Sequence, residues 1–243
     1  MKGVILAAGM ASRLRPLTDT MPKCLLTVGK RCLLQRTIDA LIECGLRDIV
    51  MVLGYREQQI RDFVAKNYPE LNVCFISNPV YDSTNNIYSL WLTREQTDGK
   101  DFVLLDSDIL FDSKVLQAVL EDNNPNTLAL NRHELGEEEI KVISNPQRDV
   151  LEISKVCSIA DAVGESVGIE KMSAEYSAAL FNELEQMIER EGLSNVFYEK
   201  AFERLIPKGQ LFRYVDTTDF FSIELDTVDD FQNATKLLPP ALV

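Results

Sequence analysis

Two pairs of acids and one cationic loop are the parts of this sequence that could do chemistry. The stretch VLLDSDILF sets Asp106 and Asp108 two apart at the end of an apolar run, and SIELDTVDDF does the same for Glu224 and Asp226. Residues two apart on a strand project to one side. Mg²⁺ takes one or two such carboxylates together with phosphate oxygens and water. The loop supplies the complement. An apolar run, Val4 to Ala8, ends at Gly9, and the residues that follow include Arg13, Arg15, Pro16, Pro22 and Lys23. Ala7, Ala8 and Gly9 have little or no side chain, so a ligand can approach the backbone N–H groups closely. Arg13 can fork onto phosphate oxygens, and Lys23 adds a compact positive charge. Together these features describe a polyphosphate cradle beside carboxylates able to hold a cation. Plainer roles stand beside these: a solvated loop, and for Asp226 an N-cap shared with Thr227.

Such residues need a sheet whose strand ends converge. GVILAA, DIVMVLG, NVCFIS and DFVLLDSD read as strands. They alternate with helical periodicity in LLQRTIDALIECG, REQQIRDFVAKNY, NIYSLWLTREQ and SKVLQAVLED. That alternation predicts an α/β fold: a Rossmann-like, doubly wound, mostly parallel mixed sheet with helices on both faces. Ligands of such sheets bind beyond the carboxyl ends of the strands, where the Gly9 loop begins. In the second half, EIKVISNPQRDVLEISKV reads as two strands around Asn145-Pro146, and SVGIEKMS as another. AEYSAALFNELEQMIEREG and NVFYEKAFERLIP read as helices, LFRYVDT and FFSIEL as strands, and TVDDFQNATKLL as a last helix. No linker or repeat interrupts the chain. One domain, 1–243, is expected, with a nucleotide-binding half over 1–125 and an acceptor-binding half over 126–243.

Bulk properties narrow the class. A net charge of −13 argues against non-specific nucleic-acid or anionic-membrane binding. No run approaches the ~18 apolar residues of a membrane span. Five cysteines without CxxC spacing read as free thiols of a reducing, cytoplasmic setting. The run GEEE at 136–139 and the single histidine, His133, read as solvated surface.

The N-terminal loop resembles the signature of nucleotidyltransferases that make sugar nucleotides and CDP-alcohols, roughly LAAGxGxRxxPxTxxxPK. Leu6, Ala7, Ala8, Gly9, Arg13, Pro16, Thr18, Pro22 and Lys23 match it, and Ala11 stands where a second glycine is usual. SNPVYDSTNNIYSLWL resembles the NxxYxxxNNxxSL stretch of bacterial phosphocholine cytidylyltransferases and of relatives acting on 2-aminoethylphosphonate. The resemblance implies Lys23 and Arg13 as catalytic residues and Asp108 and Asp226 as ligands of Mg²⁺, or of Mn²⁺. Nucleotide binding falls to Leu6, Ala7, Ala8, Gly9, Met10, Ala11, Asn78, Tyr81, Asn85, Asn86, Ser89 and Asp106. On the acceptor side it points to Tyr88, Trp91, Lys155, Glu170, Tyr198 and Glu224. A choline head group is held by aromatic faces and nearby carboxylates, a primary ammonium by carboxylates and carbonyls. The implied reaction is CMP transfer from CTP to phosphocholine. The alternatives are 2-aminoethylphosphonate, a sugar 1-phosphate, or a silent nucleotide-binding module. CTP and a small phosphorylated or phosphonate amino alcohol are thus the expected partners, without nucleic acid or membrane insertion. Monomer and dimer are both compatible with the sequence.

Overall fold

A computed structural model describes residues 1–242. From the N-terminus, β1 (Lys2–Ala7) leads through the long loop to a small hairpin, β2 (Thr27–Val28) and β3 (Arg31–Cys32). Next come α1 (Leu33–Glu43), β4 (Asp48–Leu53), α2 (Glu57–Asn67), β5 (Asn72–Ser77), α3 (Asn86–Leu92) and α4 (Arg94–Thr97). Then follow β6 (Phe102–Asp106), β7 (Ile109–Phe111), α5 (Ser113–Glu121), β8 (Thr127–Asn131), β9 (Lys141–Ser144) and β10 (Val150–Ser154). The last elements are β11 (Gly164–Met172), α6 (Ala174–Glu185), α7 (Glu199–Leu205), β12 (Arg213–Asp216), β13 (Ser222–Glu224) and α8 (Val228–Leu237).

Nine strands form the main sheet, in the order β10-β9-β11-β6-β1-β4-β5, with β8 pairing both β11 and β12. β1 lies parallel between β4 and β6, and β5 continues the parallel set. β11 reverses direction against β6. The near-continuous apolar character of the central strands has a direct cause: both faces are covered. Val4 and Leu6 enter one core, with Val50, Val52 and Leu104, under α3, α6 and α7. Ile5 and Ala7 enter the other, with Met51, Leu53 and Leu105, under α1, α2 and α5. A third cluster packs α8 onto the β2 and β7 region through Val28, Leu110, Leu225, Ala234 and Leu238.

Four expectations need correcting. β6 ends at Asp106, and the chain turns at Ser107 and Asp108, so the two aspartates do not share one strand face. No strand is expected from the sequence over 127–131, yet β8 lies fully inside the sheet. The helix read over 86–96 breaks at Thr93, whose hydroxyl bonds the Leu90 carbonyl at 2.7 Å. The helix read from Asn195 starts only at Glu199, leaving 195–198 as a loop. All five cysteines are free thiols. Among the described residues no helix is long and apolar enough to cross a membrane.

Candidate active site

The loop after β1 is shaped by its small residues. A side chain on Gly9 would meet no atom within 4 Å, so the backbone there lies open to a ligand. The Ala8 carbonyl accepts the Tyr55 N–H at 2.9 Å, and a Cβ on Gly54 would sit 2.7 Å from that same oxygen. Gly54 therefore lets β4 hold the loop in place. Ala11 has φ +47°, a left-handed conformation that glycine adopts freely and alanine at a cost of ~1 kcal/mol. Its carbonyl is fixed by the Leu14 N–H at 3.0 Å and the Thr18 hydroxyl at 3.0 Å.

Lys23 opens a short 3₁₀ turn behind Pro22, and its side chain is buried. Its Nζ lies 3.1 Å from Asp108 Oδ2 and 2.8 Å from Asp226 Oδ1. The Arg13 guanidinium pairs with the other Asp226 oxygen. Residues far apart in sequence meet because β7 and β13 form a two-stranded antiparallel sheet, Ile109 opposite Glu224, and the Leu225 N–H donates to the Asp108 carbonyl at 3.2 Å. The N-cap of α8 is Thr227: its hydroxyl accepts the Asp230 N–H at 3.1 Å, and Asp230 returns the bond to the Thr227 N–H at 2.7 Å. The Asp226 carboxylate is left to the cations.

The electrostatics follow from this packing. Burial opposes the Lys23 ammonium, but Asp108 and Asp226 outweigh it and raise its pKa. Burial would raise the Asp226 carboxyl, yet Lys23 and Arg13 hold it below the usual range. Glu224, without such a partner, is pushed up to about 8 by burial and then by Asp108 and Asp226. Oxygens of Asp108, Glu224 and Asp226 all lie within 4.8 Å of one another. Three hard oxygen donors at this spacing fit a divalent cation of the Mg²⁺ class. In their present arrangement the Lys23 ammonium offsets part of their charge.

Beside this cluster opens a cavity of about 330 Å³. One wall is Leu6, Ala7, Ala8, Gly9 and Ala11, and another is Asn78, Tyr81, Asn85, Asn86 and Ser89. Arg13, Lys23, Asp106, Asp108, Lys155, Glu224 and Asp226 also reach it. Asn78 is committed to its own loop, accepting the Val80 N–H at 3.0 Å and donating to Thr84 and Ser89 at 3.2 Å each. Asn85 caps α3 through its side-chain oxygen, and the Asn86 oxygen accepts the Tyr198 N–H at 2.9 Å. Among the described residues, no protein acceptor takes the side-chain N–H₂ of either Asn85 or Asn86.

Met10, Tyr88, Trp91, Glu170 and Tyr198 do not line this cavity. Trp91 stacks on Tyr88 at 5.7 Å and packs against the core, since α3 turns Asn86 and Ser89 to the cavity instead. Tyr198 and Glu170 are fully buried beneath it. The Tyr198 hydroxyl lies 2.9 Å from Asp106 Oδ2 and 3.4 Å from Glu170 Oε2, and the Ser166 hydroxyl donates to Glu170 Oε1 at 3.3 Å. Gly168, at φ +78°, makes room here: a Cβ would lie 3.0 Å from Asp106 Oδ2.

Burial, then the neighbouring carboxylates, pushes Asp106 and Glu170 well above their ordinary values. An acid raised in the folded state costs stability as pH rises above its unfolded value, because the native state then holds a proton that the unfolded chain has lost. Glu170→Gln is therefore expected to raise Tm at pH 8 and to leave it nearly unchanged at pH 4. Melting curves at the two pH values check this, and a lower Tm at pH 8 would refute it.

The sequence reading missed Glu199 and Glu138, both of which reach the cavity. Glu138 belongs to the GEEE run read as solvated, and it meets Lys155 Nζ at 3.2 Å. Only the charge of Lys155 could have hinted at that pairing. Glu199 carried no signal in the sequence that set it apart from the other acids of the helix NVFYEKAFERLIP.

The family model of the MobA-like NTP transferase domain matches residues 3–204, and the chain belongs to that family. Choline-phosphate cytidylyltransferase of Streptococcus pneumoniae is 40% identical over 96 residues, 40% of this chain and 40% of that protein. CMP-5'-(3-aminopropyl)phosphonate synthase of Streptomyces rubellomurinus is 31% identical over 131 residues, 54% of this chain and 21% of that protein. The chain thus spans less than half the length of these two relatives. CTP:phosphoglutamine cytidylyltransferase of Campylobacter jejuni is 23% identical, with 96% of this chain and 98% of that protein covered. In structure, CTP:phosphocholine cytidylyltransferase from Streptococcus pneumoniae superposes with a TM-score of 0.81 at 23% identity, covering 98% of this chain and 99% of that one. That likeness shows the shared fold.

Proposed function

We propose that this chain, acting as one nucleotidyltransferase domain, transfers CMP from CTP to a small phosphorus acid bearing a cationic nitrogen, with release of pyrophosphate. The observation that carries this reading is the Lys23 ammonium held between Asp108 and Asp226 where the small-residue loop meets the cavity. The loop amides and Arg13 receive the triphosphate. Lys23 passes from its carboxylates to the α-phosphate oxygens and stabilises the charge that develops there. Asp108, Asp226 and Glu224 would hold Mg²⁺, or Mn²⁺, which when bound neutralises the triphosphate. The free N–H₂ groups of Asn85 and Asn86 suit the acceptor atoms on a cytosine edge. The acceptor oxygen is already anionic, so no general base is required.

Phosphocholine is one reading of the acceptor, supported by the named activity of the Streptococcus relative. An aminoalkylphosphonate is the second. It is favoured by the cavity wall, where Tyr81 and Phe197 are the aromatic residues and Tyr88, Trp91 and Tyr198 are absent. The test is pyrophosphate release with Mg²⁺, crossing CTP, UTP, ATP, GTP and dTTP against phosphocholine, 2-aminoethylphosphonate, glucose 1-phosphate and glycerol 3-phosphate. Turnover confined to CTP with a nitrogen-bearing acceptor is expected. Turnover with a sugar phosphate alone would overturn the acceptor class, and none with any pair would leave a silent nucleotide-binding module.

A further inference from the structure

Glu199 sits at the first position of α7, behind a loop tied down by the Tyr198 N–H on Asn86 and by the Lys200 N–H on the Phe197 carbonyl at 3.1 Å. It is only 5% exposed and lines the cavity, yet its Oε2 has no hydrogen-bond partner. A buried carboxylate oxygen left bare is costly, and proteins normally pair it. The cation that influences it most is Lys155, but that ammonium is engaged elsewhere. It lies 3.2 Å from Glu138 and 4.8 Å over the Phe197 ring. Of the acids nearby, Glu203 raises Glu199 further, and Glu199 in turn helps to raise Asp106 and Glu170. Burial pushes its carboxyl up to about 7, so a bound cation would draw off the proton.

One cavity wall thus carries a cation, Lys155, and an unpaired carboxyl, Glu199, that a bound cation would ionise. A zwitterion with an anionic phosphorus group and a cationic nitrogen complements such a wall. The nitrogen must also satisfy a bare oxygen, which takes an N–H donor. A trimethylammonium group has none: it rests on aromatic faces and can use a nearby carboxylate only through charge, not through a hydrogen bond. Here the Phe197 face already carries the Lys155 ammonium. We propose that Glu199 is the counter-ion and hydrogen-bond acceptor for a primary ammonium on the acceptor, and that it selects an aminoalkyl phosphate or phosphonate over phosphocholine. This rests on the cytidylyl-transfer reading above.

The experiment measures kcat and KM by pyrophosphate release with Mg²⁺ and CTP for phosphoethanolamine, 2-aminoethylphosphonate, phosphocholine and ethyl phosphate. It uses the unaltered chain and Glu199→Gln. In the unaltered chain, at least one primary amine is expected to have a KM ~10-fold or more below that of phosphocholine, since a charge-assisted hydrogen bond is gained. Comparing the two amines separates phosphate from phosphonate. In Glu199→Gln, KM for the amines is expected to rise ~10- to 100-fold while that for ethyl phosphate and for CTP stays within ~2-fold. A phosphocholine KM equal to or below both amines would overturn the assignment of Glu199 while leaving cytidylyl transfer intact. So would an equal loss with ethyl phosphate. No turnover of CTP with any of the four would overturn the cytidylyl-transfer reading itself. The first comparison needs no variant, so misfolding of Glu199→Gln cannot mask the result.

Discussion

Lys23→Ala is expected to lower kcat ~100-fold or more, the scale seen when one key electrostatic group is removed from a buried site. The ammonium is held 2.8 Å and 3.1 Å from two carboxylates, so it reaches the reacting phosphate already oriented. Lys23→Arg should recover little of that rate, because a planar fork cannot replace a compact charge in a buried slot. The same substitution has a second, opposite readout. Without the ammonium, Asp108, Glu224 and Asp226 face one another with less compensation, so Lys23→Ala should bind Mg²⁺ more tightly while turning over more slowly. A carboxylate held low by a cation stabilises the fold above its unfolded pKa and loses that contribution as pH falls. The contribution that Lys23 makes through Asp226 should therefore be present at pH 7 and be lost as pH falls through the depressed pKa of Asp226. Steady-state kinetics together with a metal titration check both parts. A near-normal kcat would refute the role given to Lys23.

Asp226→Asn is expected to cost ~100-fold or more in kcat and to raise the Mg²⁺ concentration needed for half-maximal rate, since it removes both a hard ligand and the partner of two cations. Its geometry separates this from a structural effect. Asp230, four residues on, belongs to the capping box of α8. Asp230→Asn should lower stability by ~0.5–2 kcal/mol, as loss of a capping side chain does, with kcat nearly unchanged. If Asp226→Asn behaved like Asp230→Asn, losing stability but not rate, the carboxylate would be a helix cap and not part of the reaction centre.

The parts of this molecule legible from its sequence are those whose cause is local. The loop from Gly9 to Lys23 could be read because small residues and cations follow one another along a single stretch. The doubly covered sheet could be read because successive residues of β1, such as Val4 and Ile5, point to opposite faces and are both apolar, so both faces must be buried. That Asp106 and Asp108 do not share one strand face was hidden, because β6 stops at Asp106 and the chain turns there before β7 pairs with β13. Tyr198 looked like a ligand contact because an aromatic residue carries no sign of which face it will show. In the fold it is fully buried and bonds Asp106 from below. Glu199 looked unremarkable because its burial comes from the loop before it docking on Asn86, a contact 112 residues distant for Tyr198.

The bond between Lys23 and Asp226 joins residues 203 positions apart. For a chain made from its N-terminus, that distance sets a timetable. The phosphate-binding loop, the first parallel strands and the Lys23–Asp108 pair can form while later residues are still being added, but Arg13 and the second side of Lys23 wait for Asp226, which comes only after β13. Closing so long a loop is slow, and its entropic cost grows only gently with length, so the delay is one of waiting and not of stability. An unfinished chain would carry a recognisable sheet and an idle cradle. Competence to bind the metal and to react would arrive late and all at once, with the strand that brings Glu224 and Asp226.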